Sequence, residues 1–462
     1  MDYSYNSWGD NPVWYFLIQF FILAVALLLG NSIRRKVSFI RKSLVPTSLI
    51  GGLIILLLKF IPLFDKFVDL QLMEIITYHC LALGFIALSL KKSVENGGKN
   101  KTLVKSVVES GLLTGATYVL QAIIGLIVTI ILFFVCDFFA GGGVILALGF
   151  GQGTGQALNY GKRFELEFGF SGGATFGLTI ATVGFFVASV VGVIYMNILR
   201  RQGKLKHTEK RKELGDKLSD YVGKNEIPNN ESIDKLTMNL ILVLFVYALV
   251  FVVMKLVNMN LLWGFNFLLG SLFALLTKLV INFFQKKQII HRDLTNNYLL
   301  DRISGFVFDI MIIAGAAAID IHALSSMWWQ ILIICTLGTV GTFIYVRLAC
   351  NQLYPGYEHE GFFAMFGMLT GTASNGVILL REIDPAFETP ASSNLVLSSL
   401  PAILFGGGLL LLLELCPKGI DEALLSLAIL IVSGVVYTLI LFRKVIFKKK
   451  YAKKAEQSNA KE

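Results

Sequence analysis

The sequence predicts an all-α polytopic membrane protein built as an inverted repeat. Two five-helix units, each with a re-entrant hairpin, are followed by one extra C-terminal span. Three observations predict this. Apolar runs near 20 residues recur along the whole chain, basic residues gather on alternate loops, and one Gly-rich motif occurs once in each half. Composition sets the frame. Of 462 residues, 55% are hydrophobic before glycine is counted and 16% are charged, where soluble domains have about 45–50% with glycine and about 25% charged. Mean hydropathy is +0.69. No single water-excluded core buries so much apolar surface, so lipid must be the solvent. Disorder, a disulfide scaffold and an ordinary soluble enzyme are excluded. The five cysteines (Cys80, Cys136, Cys335, Cys350, Cys416) show no metal spacing and read as small apolar residues.

Crossing about 30 Å of hydrocarbon takes about 20 helical residues. The runs of that kind are Val13–Gly30, Leu44–Leu63, Ile75–Leu90, Val107–Cys136 and Gly172–Leu199 in the first half. In the second they are Leu236–Val257, Leu261–Phe284, Ile303–Ile321, Met327–Ala349 and Asn394–Cys416, with Ala423–Phe442 beyond. Two Gly-rich stretches, Phe139–Tyr160 and Gly361–Leu380, fit no simple span. The net charge of +10 suits either nucleic acid or the cytoplasmic excess of membrane proteins, and its distribution decides. Arg34, Arg35, Lys36, Arg41 and Lys42 follow the first run; Lys91, Lys92, Lys99, Lys101 and Lys105 follow the third. The stretch 200–235 holds ten basic residues, and the tail from Arg443 is basic throughout. The intervening loops are nearly bare of them. The positive-inside rule then puts the N-terminus outside and the C-terminus in the cytoplasm, and no nucleic-acid partner is expected.

That sidedness holds only if the two odd stretches enter the membrane and return on the same face. The expected plan is therefore eleven spans and two hairpins. Residues 1–199 form the first repeat (hairpin 139–168), 200–235 a cytoplasmic linker, and 236–416 the second repeat (hairpin 361–390). Residues 423–462 supply the extra span and tail. Both hairpins carry one pattern: Phe150-Gly151-Gln152-Gly153-Thr154-Gly155-Gln156-Ala157-Leu158-Asn159 and Phe366-Gly367-Met368-Leu369-Thr370-Gly371-Thr372-Ala373-Ser374-Asn375 agree at six of ten positions.

The residue types suit an ion-and-anion site. Glycines permit a sharp break, and Thr154 and Thr370 suit N-caps of the helices that leave it. Carbonyls freed at the break can hold Na⁺, while N–H groups at the next helix start can hold a carboxylate. Expected substrate contacts are Thr154, Gly155, Gln156, Asn159, Thr370, Gly371, Thr372 and Asn375. Expected Na⁺ ligands are Phe150, Gly151, Met368 and Leu369 through the backbone, with Ser374 and Asp309. Asp309 lies well inside Ile303–Ile321, where a carboxylate serves either a coupling cation or helix packing. Glu109, Lys278, Asp320 and His79 sit nearer the interfaces. Arg381 falls roughly 16 Å beyond Thr370 along a helix and marks the hairpin exit. No phosphate loop is present, because no GK[ST] follows Gly155. The five histidines make no HExxH, so an enzyme is disfavoured.

Pro46…Gly51-Gly52, the run Gly151–Ala157, and Gly177…Ala181-Thr182 resemble the bacterial sodium/glutamate symporters, most strongly over Gly151–Gly192. The resemblance implies Na⁺-driven uptake of glutamate or a related small carboxylate by a homodimer in the bacterial inner membrane, with Na⁺ as coupling ion and no organic cofactor. Departures are the second hairpin, Thr370-Gly371-Thr372-Ala373-Ser374-Asn375-Gly376, and the extra span. A passive channel and an H⁺-coupled organic-anion transporter of the same plan remain the alternatives. A channel wants a continuous polar pore, which one pair of hairpins fits less well.

Overall fold

The computed structural model describes residues 12–42, 44–61, 64, 67–91, 101–205, 234–257, 263, 266–289, 294–384, 389–398, 402, 408–409 and 411–443. All regular structure among them is helical. The helices are α1 (Pro12–Lys36), α2 (Ser38–Lys42), α3 (Thr47–Leu58), α4 (Leu70–Leu90), α5 (Lys101–Cys136), α6 (Ile145–Gly151), α7 (Thr154–Phe168) and α8 (Gly173–Arg201). They continue as α9 (Lys235–Val257), α10 (Asn266–Lys286), α11 (Asn297–Ala317), α12 (Ile321–Leu353), α13 (Glu358–Thr370), α14 (Ala373–Arg381), α15 (Ala391–Leu397) and α16 (Ile420–Leu441). A 3₁₀ turn over Ala140–Val144 leads into α6.

Eight of these (α1, α4, α5, α8, α9, α10, α12 and α16) are long and apolar enough to cross a membrane. Each coincides with a run expected from the sequence. Their outward faces carry exposed Phe21, Leu28, Phe134, Leu256 and Val432, which only a hydrocarbon surround makes favourable. Polar residues begin several of the helices. Asp69, Asn296 and Asp320 accept hydrogen bonds from Leu72, Leu299 and His322 backbone N–H groups at 3.0, 3.2 and 2.8 Å, the geometry of an N-cap.

Two expected spans differ from the reading. Leu44–Leu63 contains a helix of only 12 residues, about 18 Å long. Pro46 stands at its N-cap position, and Lys59 ends it. The Lys59 side chain is buried, and its ammonium donates to the Ala317 and Ile319 carbonyls at 3.0 and 2.6 Å. It therefore covers the C-terminal, negative end of α11. Ile303–Ile321 is also displaced: α11 runs Asn297–Ala317 and brings Asp301 and Arg302 into the helix. Asn394–Cys416 is only partly among the described residues, as are the linker 200–235 and the basic tail; residues 1–11 lie outside them.

Packing divides the helices into two groups. In one, α4 packs on α11 and α10, α3 on α1 and α11, and α9 on α10. In the other, α5 packs on α12, α16, the 3₁₀ turn and α6, while α13 packs on α12, α14 and α8, and α7 on α8. The pairings are reciprocal between halves: α3 with α11 answers α10 with α4, α1 with α3 answers α9 with α10, and α5 with α6 answers α12 with α13. Contact between the groups runs mainly through α7, against α4 and α11. There Leu158, Ala174 and Leu178 share a buried cluster with Leu23, Met73 and Ile313. Lys162 on α7 also pairs with Glu74 on α4 at 3.1 Å.

Lys59 generates a prediction. Lys59→Ala removes two charge-assisted hydrogen bonds and bares the end of α11, at about 1.5–3 kcal/mol per bond. Thermal unfolding of the detergent-solubilised protein should show a clear drop in midpoint, and an unchanged midpoint would remove this capping role.

Candidate functional site

Both Gly-rich stretches form broken helices. In the first, α6 is buried at every residue and stops at Gly151. Gln152 and Gly153 follow, and α7 starts at Thr154. The break is anchored at its root by Thr129 on α5, whose hydroxyl donates to the Ala140 carbonyl at 2.6 Å and accepts from Gly143 N–H at 3.1 Å. Gly125 and Gly143 meet there backbone to backbone. In the second, α13 stops at Thr370, Gly371 turns irregularly at φ −141° and ψ −105°, Thr372 is extended, and α14 starts at Ala373.

The two breaks touch. A methyl built on Gly153 would lie 3.4 Å from Thr372 Cγ2 and 3.8 Å from the Gly371 carbonyl oxygen. α8 passes beside the meeting point, with Gly184 against Phe150 and the Thr370 carbonyl, and Phe185 near Gly153. Gly315 on α11 seats the Thr154 methyl. Phe150, Gly151, Met368 and Leu369 are therefore the last turns of the two inbound helices, and all four are buried.

The expected caps are corrected. Gly153, not Thr154, holds the N-cap position of α7, at φ +84° and ψ −170°, a region essentially reserved for glycine. Thr154 is the first helical residue instead. Thr370 does not cap the outgoing helix: it ends the inbound one, and its hydroxyl donates back to the Phe366 carbonyl at 2.7 Å. The cap position of α14 falls to Thr372, whose hydroxyl donates to Asn375 Oδ1 at 3.0 Å rather than accepting from a backbone N–H.

Polar capacity is left over around this point. Thr154 Oγ1, both amide atoms of Gln156, Asn375 Nδ2 and Gln121 Oε1 are buried without a hydrogen-bond partner among the described residues. Each such group costs about 1–3 kcal/mol when nothing pairs with it, and these lie on or beside the two touching breaks. The backbone is partly engaged. Tyr118 on α5 donates its hydroxyl to the Gly151 carbonyl at 3.0 Å, and Gln121 Nε2 donates to the Leu369 carbonyl at 2.8 Å and to Thr342 Oγ1 on α12 at 3.1 Å. A carbonyl has two lone pairs, so each retains one for an ion.

Other expected residues stand apart. Gly155 faces away from the tips, where a methyl would lie 2.9 Å from Leu81 Cβ on α4. Asn159 is half-buried more than a turn along α7, and Ser374 falls in the first turn of α14. Asp309 is exposed on α11, which packs against α3, where the buried Ser48 hydroxyl at the helix start has no hydrogen-bond partner among the described residues. That is the positive end of a helix whose own cap residue is Pro46 and offers no side-chain acceptor. The sequence reading missed Tyr118, Gln121 and Thr342. Its one available signal was the polar series Thr114, Thr117, Tyr118 and Gln121, at three- and four-residue spacing, inside an otherwise apolar helix.

Among the described residues, no cluster of His, Cys, Asp and Glu suits a resident metal ion. The all-helical fold with its long apolar helices is that of a multi-pass membrane protein, and two of its helices are interrupted where buried polar atoms lie. Residues 16–356 match the sodium/glutamate symporter family, and the chain belongs to it; the family is one of membrane transporters. No curated protein and no solved structure matches the chain. The family match contains the first break and ends just before α13, so the second break lies outside it.

Gly153 carries a prediction. Gly153→Ala forces an alanine into a glycine-only region at about 1–3 kcal/mol and disturbs the contact with Thr372. Gly169→Ala, at φ +77° with open space around it, is the control and costs about 1–2 kcal/mol. Ligand binding should fall sharply in the first and survive in the second, as read by titration of the purified variants.

Proposed function

We propose that the protein is a secondary active transporter that couples inward Na⁺ flow to uptake of glutamate or a related small carboxylate. The observation that carries this reading is the cluster of unpartnered buried polar atoms where the two breaks touch. Free N–H groups at the starts of α7 and α14 favour a carboxylate. The ends of α6 and α13 and the side-chain oxygens nearby favour a hard cation. The substrate contacts would come from Thr154, Gln156, Thr372 and Asn375, with Thr370 and Gly371 shaping the second tip. Sodium would take the remaining carbonyl lone pairs at Phe150, Gly151, Met368 and Leu369. Binding the ion beside the carboxylate lowers the cost of burying each charge, which is the physical basis of coupling.

The chain is read as two inverted repeats with re-entrant hairpins. The reciprocal pairing of α3 with α11 and α10 with α4 supports this, as does the shared six-residue pattern. The N-terminus lies outside and the C-terminus in the cytoplasm of a bacterial inner membrane, and two copies associate. The proposed mechanism is alternating access, and the packing supports it. The group of α5–α8 and α12–α16 holds both breaks, and it moves against α1, α3, α4 and α9–α11 along the α7 seam. Because α7 contributes to both the site and the seam, motion there exposes the same pocket to each side in turn. A channel fits less well, since the polar atoms meet at one enclosed point.

Radiolabelled uptake into proteoliposomes across a panel of amino and organic acids, with Na⁺ or choline outside, tests the reading. Concentrative, Na⁺-dependent accumulation of a small carboxylate is expected; equilibration without a gradient requirement would support a channel, and drive by a pH gradient alone the H⁺-coupled alternative. Gln156→Leu sharpens the test. Removing an unpaired buried amide should leave stability equal or higher by about 1–3 kcal/mol while abolishing uptake. Asn375→Ala should cut uptake with folded protein retained. A Gln156→Leu protein that transports normally would take that residue out of the site.

A further inference from the structure

Gln121 stands in the middle of α5, fully buried, and touches both breaks without belonging to either. Its orientation is chemically fixed. The Leu369 carbonyl can only accept, so the amide nitrogen must face it, and the carboxamide oxygen must face the other way. That oxygen lies against the first break, where a methyl built on Gly151 would be 3.2 Å from it. It is buried and has no hydrogen-bond partner among the described residues. The space beside Gly151 is otherwise taken by the Tyr118 ring, whose hydroxyl holds the Gly151 carbonyl at 3.0 Å.

We propose that Gln121 is a ligand of the co-transported cation and the strut that links the two hairpin tips. Its nitrogen secures the end of α13, and its oxygen offers a neutral ligand to a hard monovalent cation at the end of α6. This rests on the proposed Na⁺-coupled reading and adds to it a residue from outside both hairpins. An unpartnered acceptor attracts either a cation or an N–H donor. The tight cover of Tyr118 over Gly151 favours a bare ion over the ammonium of an amino acid. With one side chain bound to both breaks, ion occupancy at the first is felt at the second, where Asn375 and Thr372 stand. The arrangement thus gives a direct route by which cation binding changes carboxylate affinity.

The test uses the full-length protein in detergent and in proteoliposomes, with Gln121→Leu, Gln121→Glu and Thr342→Ala. The first readout needs no substrate: the rise in melting temperature as NaCl replaces choline chloride. Wild type should be stabilised by Na⁺ and Gln121→Leu should lose most of that response. Gln121→Glu keeps an oxygen ligand toward Gly151 and, with its other oxygen protonated to donate to the Leu369 carbonyl, should restore it; Thr342→Ala, which removes only the second acceptor, should keep it. The second readout is the Na⁺ concentration for half-maximal uptake, which should rise about tenfold or more in Gln121→Leu, as expected for loss of one polar contact to an ion. A Gln121→Leu protein with the wild-type Na⁺ response and half-saturation, or one in which only substrate affinity at saturating Na⁺ falls, overturns the proposal. If Gln121→Leu does not fold, a Gln121→Glu protein that keeps the wild-type Na⁺ half-saturation supports it, and one that loses Na⁺ stabilisation overturns it. Absence of any Na⁺ response in the wild type would instead overturn the Na⁺-coupled reading on which it rests.

Discussion

The structure depends on one constraint: backbone polar groups interrupted within an apolar surround must find partners inside the protein. Two helices stop inside the protein, at Gly151 and Thr370, and each stop frees carbonyls on one side and N–H groups on the other. Lipid offers them nothing. The surrounding helices are arranged to answer this. Tyr118 and Gln121, one turn apart on α5, each take a carbonyl from a different break. What they leave unanswered is what a ligand can use.

Close packing makes that arrangement possible. Gly125 against Gly143 brings the root of the first broken helix onto α5 with no side chain between them, and Gly184 does the same for α8 at the tips. These glycines act by allowing contact rather than by unusual backbone angles. Gly153 is the exception, since its φ of +84° is itself the turn from α6 into α7. Within one Gly-rich stretch some glycines thus serve close packing and another the turn between helices.

Membership of the sodium/glutamate symporter family covers residues 16–356 and so reaches α1 through α12, including the first break. The second break and α16 lie beyond it. There the physical reading stands on its own observations: the contact of Thr372 with Gly153, the unpartnered Asn375 Nδ2 and the seat of α16 against α5.

The sequence alone determined the membrane setting, the positions of the eight long apolar helices and the two places where helices break. These are written in local composition, because hydrophobic run length and glycine placement act over a few turns of one helix. It overestimated α3, since the terminating contacts of Lys59 come from α11, some 260 residues away. It put the caps on the wrong threonines, because only the final φ and ψ values decide which residue stands outside a helix. That Gln121 joins both tips was settled by tertiary structure alone: a hydrogen bond across 248 residues follows from how α5 and α13 pack, and no local pattern encodes it.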